Sequence, residues 1–276
     1  MPTSHIGLNA QLLSGQQSYR AAGIHRAIRG LLEHLPGADT RFSYTVFTGT
    51  DIPVENCRLS VNRTSLPTAN PFARILWEQC LQPVIARHQG IDLLHMMAYV
   101  SPVVATTPTV VTVHDLSFLR SPERFRPANR TYLSLFTGLS CQRARRVIAV
   151  SEHTKQDVMK VYGLPPEKVD VVYSGLDSHF ARPAPEAIAE FRRAHGLENK
   201  FVVLYAGAHG MSNDLGVVLD AAKILQNMTV TSEVTVISIS EIQIVLLGDG
   251  KEKPALQARA VEMGLTNVTF VDPVAK

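Results

Sequence analysis

His114 and Asp115 stand side by side at the end of Thr109–His114, the most strand-like run in the first half of the chain. An imidazole at the carboxyl end of a central strand is placed to donate a hydrogen bond to an anionic or hydroxylated ligand. The neighbouring carboxylate can orient that ring or bind sugar hydroxyls. The plainer reading, a structural histidine satisfied by its neighbour, fits the same two residues and stays open. His95 ends the preceding strand and is expected on the same side. Glu78 follows Trp77 on a helix, where a solvated carboxylate is the commoner case and a buried one the more useful. Two post-strand turns, Gly207-Ala-His-Gly210 and Gly248-Asp-Gly250, are the glycine-bearing candidates for holding phosphate. Loops that lead from strands into helix N-termini offer backbone N–H groups and a partial positive charge. Each of these glycines also fits an ordinary tight turn.

Several chemistries are excluded by the motifs that are missing. No G-x-G-x-x-G follows a strand, and Gly250-Lys251 is followed by Glu252, which rules out a P-loop. No G-x-S-x-G elbow signals an α/β-hydrolase. Neither H-E-x-x-H nor D-x-D occurs, so no metal site is expected. Cys57, Cys80 and Cys141 are sparse and odd in number, without a C-x-x-C pair, which points to a reducing compartment. The net charge, 27 − 24 = +3, comes without a dense basic run. It suits a phosphorylated ligand or an anionic membrane surface, and no nucleic-acid partner is expected. No apolar run is long enough to span a bilayer and no secretory leader is seen, so a cytoplasmic location is expected. The sequons at Asn62, Asn129, Asn227 and Asn267 are then read as chance.

The elements that must position these residues alternate short β-branched runs with longer helical ones over 276 residues. That alternation predicts an α/β fold of two doubly wound, Rossmann-like domains with mostly parallel sheets. In the first half, strands are expected at His5–Leu12, Ser43–Phe47, near Arg58–Val61, and at Ile91–His95, Thr109–His114, Arg146–Val150 and Val169–Tyr173. Helices are expected at Ile24–Leu35, at Pro71–His88 with a kink or break at Pro83, and over about Pro127 to Arg145. A further helix, Glu152–Tyr162, should be capped by Ser151 and ended by Gly163. Ser174–Pro185 reads as a connection, placing the domains at 1–180 and 181–276. The second half restarts with a helix at Glu186–His195, then strands Phe201–Gly207, Ile242–Leu247 and Val268–Val271, with helices Leu215–Gln226 and Lys253–Met263. Three strands are fewer than a complete doubly wound domain has, and a sheet face is expected to lie uncovered. Met228–Ser240 alternates apolar and polar residues, as in an added edge strand or an inserted segment.

Taken in order and spacing, these runs resemble a family. Val111-Thr-Val-His-Asp-Leu-Ser-Phe118, Arg146-Val-Ile-Ala-Val-Ser-Glu-His-Thr-Lys155 and Val171-Val-Tyr-Ser-Gly-Leu-Asp177 look like the first domain of retaining family-four glycosyltransferases of the GT-B fold, as does Ala73-Arg-Ile-Leu-Trp-Glu-Gln79. Phe201–Gly210 and Ile244–Lys253 resemble its donor domain, with the nearest echo in the amino-sugar (fucosamine-type) branch. The resemblance implies transfer from a nucleotide-diphosphate sugar to a glycan or lipid-linked acceptor, with retention and without a metal or other cofactor. It implies that His114 faces the sugar and acceptor, with Asp115 beside it. Gly23 would lie near the diphosphate, with Ser151 lining the cleft from the first domain. Gly207 and Gly210 would approach the diphosphate, with Gly248 and Gly250 near the nucleotide. The chain departs from the family pattern at Gly23-Ile-His-Arg26, and at Ala208 and Asn213, where a basic clamp is usual. It also lacks the later E-x7-E element, so a C-terminally truncated donor domain is expected. A partner-dependent sugar-nucleotide-binding subunit, a complementing C-terminal partner and peripheral membrane association are the alternatives that follow. A nicotinamide-dependent oxidoreductase is disfavoured by the missing fingerprint.

Overall fold

The computed structural model describes residues 4–13, 23–51, 58–175, 182–228 and 241–274. The chain divides into two compact units, residues 1–175 and 176–276.

The first unit is built on a seven-stranded sheet in which every neighbouring pair is parallel. Its elements run β1 (Ser4–Asn9), α1 (Ile24–Ala38), β2 (Phe42–Thr48), β3 (Leu59–Arg63), α2 (Pro71–Leu76), a π turn (Trp77–Leu81), α3 (Gln82–His88), β4 (Leu93–Met96) and β5 (Thr109–Val113). Then follow α4 (Ser117–Arg120), α5 (Pro127–Arg143), β6 (Arg146–Ala149), α6 (Glu152–Tyr162) and β7 (Val169–Val171). The strand order is β3-β2-β1-β4-β5-β6-β7. The order therefore turns back between β1 and β4, the position at which open α/β sheets leave a crevice. Leu8, Val46, Ile28 and Leu32 form one buried cluster, which joins α1 to β1 and β2. A larger cluster joins Leu94, Val111, Val113 and Val147 of the central strands to Trp77, Cys141 and Val158 of the helical layer.

All seven expected strands are present, most trimmed or shifted by one to three residues. β1 stops at Asn9 rather than Leu12 because Ala10 to Leu13 closes a turn, with the Leu13 N–H on the Ala10 carbonyl at 2.9 Å. The helix expected over 71–88 is divided before Pro83, which sits in the first turn of α3. A π turn precedes it, with the Gln82 N–H reaching back five residues to the Trp77 carbonyl. The wider turn relieves the clash that a proline ring imposes on the preceding turn. It also brings both Trp77 and Glu78 inward. The Ser151 hydroxyl accepts from the Thr154 N–H at 3.1 Å, and Gly163 ends α6 in the left-handed region at φ 64°.

The second unit contains α7 (Pro185–Ala194), β8 (Phe201–Ala206), α8 (Gly216–Asn227), β9 (Ile242–Leu247), α9 (Lys253–Glu262) and β10 (Val268–Val271). Its sheet is parallel in the order β10-β9-β8. Central β9 buries Ile244, Val245 and Leu246 in succession, as a strand covered on both faces must. Leu219, Ala222, Leu256 and Ala260 of α8 and α9 pack on one face. Phe191 of α7 and Leu197 pack on the other. The expectation of an uncovered face fails at β9 and holds only at the sheet edge. What stays exposed is edge strand β8, which shows Phe201, Val203 and Leu204 to solvent. Residues 229–240, most of the alternating segment noted above, lie outside the described residues, as do residues 14–22.

Candidate functional site

In the first unit the candidate residues gather at the carboxyl ends of β1, β4, β5 and β6. His114 is the first residue beyond β5 and is half-buried. Its Nε2 lies 3.0 Å from the Met97 carbonyl oxygen. A carbonyl only accepts, so Nε2 carries the hydrogen, and in the neutral ring Nδ1 is left as the acceptor. Two expectations are corrected here. The ring's donor is spent on backbone rather than held for a ligand, and Asp115 does not orient the ring. The Asp115 carboxylate instead accepts from the Ser117 N–H at 2.8 Å and the Ser117 hydroxyl at 2.5 Å, which ties down the start of α4. Its other oxygen accepts from the Tyr99 hydroxyl at 3.2 Å.

Tyr99 is the residue that sequence reasoning missed. It takes φ 55°, a conformation costly for a side chain of this size. Its ring meets the His114 ring and the Phe118 ring edge-on, with centroids 5.9 Å apart in each case. Burial, and then the negative Asp115, raise its hydroxyl pKa, so it stays a proton donor. His95 bonds through Nε2 to the Thr112 hydroxyl at 2.8 Å. Burial first, and the nearby His114 second, push its pKa down to about 4. Ser151 caps α6, and the Thr154 hydroxyl on that first turn donates to the His114 carbonyl at 3.2 Å. The N-cap of α6 and the His114 corner are thus tied together.

Glu78 is buried, so the rarer of its two readings holds. The Asn9 amide, from the last residue of β1, donates to its Oε1 at 3.1 Å. Burial pushes its pKa up to about 7, against the opposing pull of Arg74 and of the Asn9 bond. Gly23 sits at the N-cap of α1 with φ 55°, and a Cβ there would meet nothing within 4 Å. The first turn of α1 carries no acidic residue and no side-chain cap bond to the helix N-terminus. Burial, then Arg29 and Arg26, lower the pKa of His25 in that turn.

In the second unit, the turns after β8 and β9 pack on each other. The His209 N–H donates to the Asp249 carbonyl at 2.9 Å, and the Glu252 N–H donates to the His209 carbonyl at 3.0 Å. Gly248 takes φ +145°, and a Cβ on it would lie 1.9 Å from the Gly207 carbonyl oxygen. On Gly250 a Cβ would lie 2.2 Å from the His209 carbonyl oxygen. The glycine identity at 248 and 250 is therefore explained by contact between the two turns. Gly210 differs, because a Cβ there would meet nothing within 4 Å. Lys253 is buried and spends its ammonium on the Gly248 carbonyl at 2.8 Å and the Asp272 carboxylate at 2.6 Å. The Asn213 amide bonds the Ala208 carbonyl within its own turn. Among the described residues no group of three or more His, Cys, Asp or Glu could hold a metal ion, and no helix is long and apolar enough to cross a membrane.

Comparison with known proteins adds three findings. The family model described as Glycosyltransferase Family 4 matches residues 21–180. The D-inositol 3-phosphate glycosyltransferase of Thermobispora bispora is 31% identical over 136 residues, 48% of this chain and 30% of the relative. The match thus spans under a third of that relative's length. Among solved structures, Anabaena Alr3699/HepE in complex with UDP-glucose is similar with a TM-score of 0.64 at 20% identity, over 98% of this chain and 69% of that one. WaaG, a glycosyltransferase involved in lipopolysaccharide biosynthesis, is similar with a TM-score of 0.70 at 11% identity, over 98% and 70%. At such identities the structural likeness shows the fold alone.

Proposed function

The chain belongs to glycosyltransferase family 4, and from that premise we propose that it moves a sugar from a nucleotide-diphosphate donor to an acceptor hydroxyl with the anomeric configuration retained. The observation that carries the reading is the His114 corner. A half-buried imidazole, fixed by the Met97 carbonyl and braced by Tyr99, stands at the carboxyl edge of the parallel sheet inside the span that matches the family.

On this reading, the His114 ring uses Nδ1 to accept from a sugar hydroxyl, while the Nε2 bond to the Met97 carbonyl keeps the ring from turning away. Tyr99 and Asp115 act as positioning residues: the hydroxyl–carboxylate bond anchors the loop after β4 to the loop after β5. In the second unit, the Gly207–Gly210 turn, whose Gly207 and His209 N–H groups are already held by the Leu247 and Asp249 carbonyls, approaches an anionic donor with its remaining backbone, which stabilises charge that develops on a departing phosphate. In the first unit, the N-terminus of α1 behind Gly23 offers the same chemistry. Gly248 and Gly250 hold the turn in shape, and Ser151 holds the start of α6 against the His114 carbonyl through Thr154. The donor is a substrate, and the reading calls for no cofactor. A glycan or lipid-linked acceptor, met at a membrane surface from the cytoplasmic side, is the acceptor class we propose.

A thermal-shift panel tests the donor half. UDP-glucose is the first member, chosen because Alr3699/HepE is described in complex with it. Other sugar nucleotides, free nucleotides and NAD complete the panel. A ligand that binds only the folded chain raises the melting temperature. The reading expects a rise with a sugar nucleotide and none with NAD; a rise with NAD alone would support a dehydrogenase instead.

A further inference from the structure

Between β1 and β4, where the strand order of the first sheet turns back, a pocket of about 50 Å³ opens, lined by Asn9, Ile28, Arg74, Glu78, Tyr99 and Tyr132 among others. We propose that this pocket receives a hydroxyl-bearing substituent of a polyhydroxylated acceptor ring, with Glu78 as the side chain that hydrogen-bonds it. The proposal rests on the transferase reading above and names the acceptor contact in the first unit.

Three observations lead there. First, Glu78 is held for a purpose that packing does not require. The Asn9 amide donates to Glu78 Oε1 at 3.1 Å and to Gln82 Oε1 at 3.4 Å, while Asn9 Oδ1 accepts from the Gln11 N–H at 3.0 Å. Asn9 is thereby fixed on three sides and acts as a positioning residue. Arg74, four residues earlier on the same helical run, opposes the effect of burial on the Glu78 charge, and Asn9 holds Oε1. A glutamine would keep the Asn9 bond and avoid the cost of burying an ionisable group. A carboxyl at this place fits a ligand that bonds it.

Second, the groups around it suit a sugar. Arg74 from α2 and Tyr132 from α5 line the same pocket as the carboxyl, and Asn9 from β1 joins it to Gln82 of α3. Tyrosine rings and Ile28 give an apolar wall for C–H groups, and a carboxyl that is half ionised near neutral pH either donates to or accepts from a hydroxyl. The volume admits a hydroxymethyl group or a few waters, so the pocket takes one substituent and leaves the ring at its mouth. Third, Tyr99 belongs both to this pocket and to the His114 corner. Tyr99 thus joins the pocket wall to the imidazole.

The test uses the full chain and ligand-observed NMR, with methyl α-D-glucoside and myo-inositol as probes and tetrahydropyran, a ring without hydroxyls, as control. Glu78→Ala removes the partner, whereas Glu78→Gln keeps the Asn9 contact and so guards against a folding artefact. Emission from Trp77, the only tryptophan, checks the fold of each variant. Both probes are expected to bind the wild type and tetrahydropyran is not. Loss of a hydrogen bond to a buried charged group should weaken binding about tenfold in Glu78→Ala. Because an ionised carboxylate makes the stronger bond, wild-type affinity should rise as the pH passes about 7 and stay flat in Glu78→Gln. Failure of both probes to bind, or equal and pH-independent binding in all three proteins, overturns the proposal. Sugar-nucleotide binding by the wild type is read separately. If it is found while the probes fail, the pocket assignment falls and the transferase reading stands; the reverse result overturns the transferase reading on which the assignment rests.

Discussion

Replacing Glu78 by glutamine should stabilise this protein at neutral and alkaline pH, and the size of the gain follows from the carboxyl's surroundings. In the folded chain, burial raises its pKa from 4.5 to about 7. Below pH 4.5 the acid is protonated in both the folded and unfolded states and costs nothing. Between pH 4.5 and about 7 the unfolded chain ionises first, so stability falls as the pH rises. Above about 7 both states are ionised and the penalty is complete. A gap of 7 − 4.5 = 2.5 pH units, at 1.36 kcal/mol each, comes to about 3 kcal/mol. Glutamine cannot ionise, and its side-chain carbonyl can still accept from Asn9. The stability difference, Glu78→Gln minus wild type, should therefore grow from pH 5 to about 7 and then level off near 3 kcal/mol. For a domain of this size that is about 6–12 °C in melting temperature. Trp77 is buried beside Phe47 at a ring distance of 5.8 Å, one residue from the substitution, so its emission follows unfolding of the same unit. Both chains carry His95, whose titration therefore cancels in the difference. Parallel stability profiles for the two proteins between pH 5 and 9 would refute the argument, since they would mean that Glu78 does not titrate between the two states.

The remaining predictions concern other parts of the frame. His95 has the opposite sign: its folded pKa is depressed to about 4, so the wild type should lose up to about 3 kcal/mol as the pH falls from 6.5 towards 4, and His95→Asn should flatten that loss in acid melts. Gly248→Ala should destabilise the second unit by about 2 kcal/mol or more, because its Cβ meets a carbonyl oxygen at φ +145°, whereas Gly210→Ala should change the melt by less than about 0.5 kcal/mol. Ser151→Ala removes the cap of α6 and should cost about 1 kcal/mol in urea unfolding.

Much of the frame was legible because its signals are local. The β-branched runs at Thr109–Val113 and Ile242–Leu247, the Ser151 cap and the Gly163 stop each act over a few residues, and each is found. The site was less legible because its contacts are long-range or made to backbone. His114 is satisfied by the carbonyl of Met97, 17 residues away, and a carbonyl leaves no mark on residue type. Glu78 is buried by its pairing with Asn9, 69 residues earlier, and by a π turn that helical periodicity does not announce. Tyr99 takes a left-handed conformation with no glycine to signal it. At Gly248 and Gly250 the residue type was visible, but its cause, the approach of the turn after β8, needed the fold.

The most direct test of the central claim is a transfer assay with the sugar nucleotide selected by the thermal-shift panel, run with the wild type and His114→Ala and read by NMR of the product's anomeric proton. The account predicts a product with the donor's anomeric configuration, formed by the wild type and lost in His114→Ala while that variant still melts cooperatively. An inverted product, or transfer undiminished without the imidazole, would contradict it.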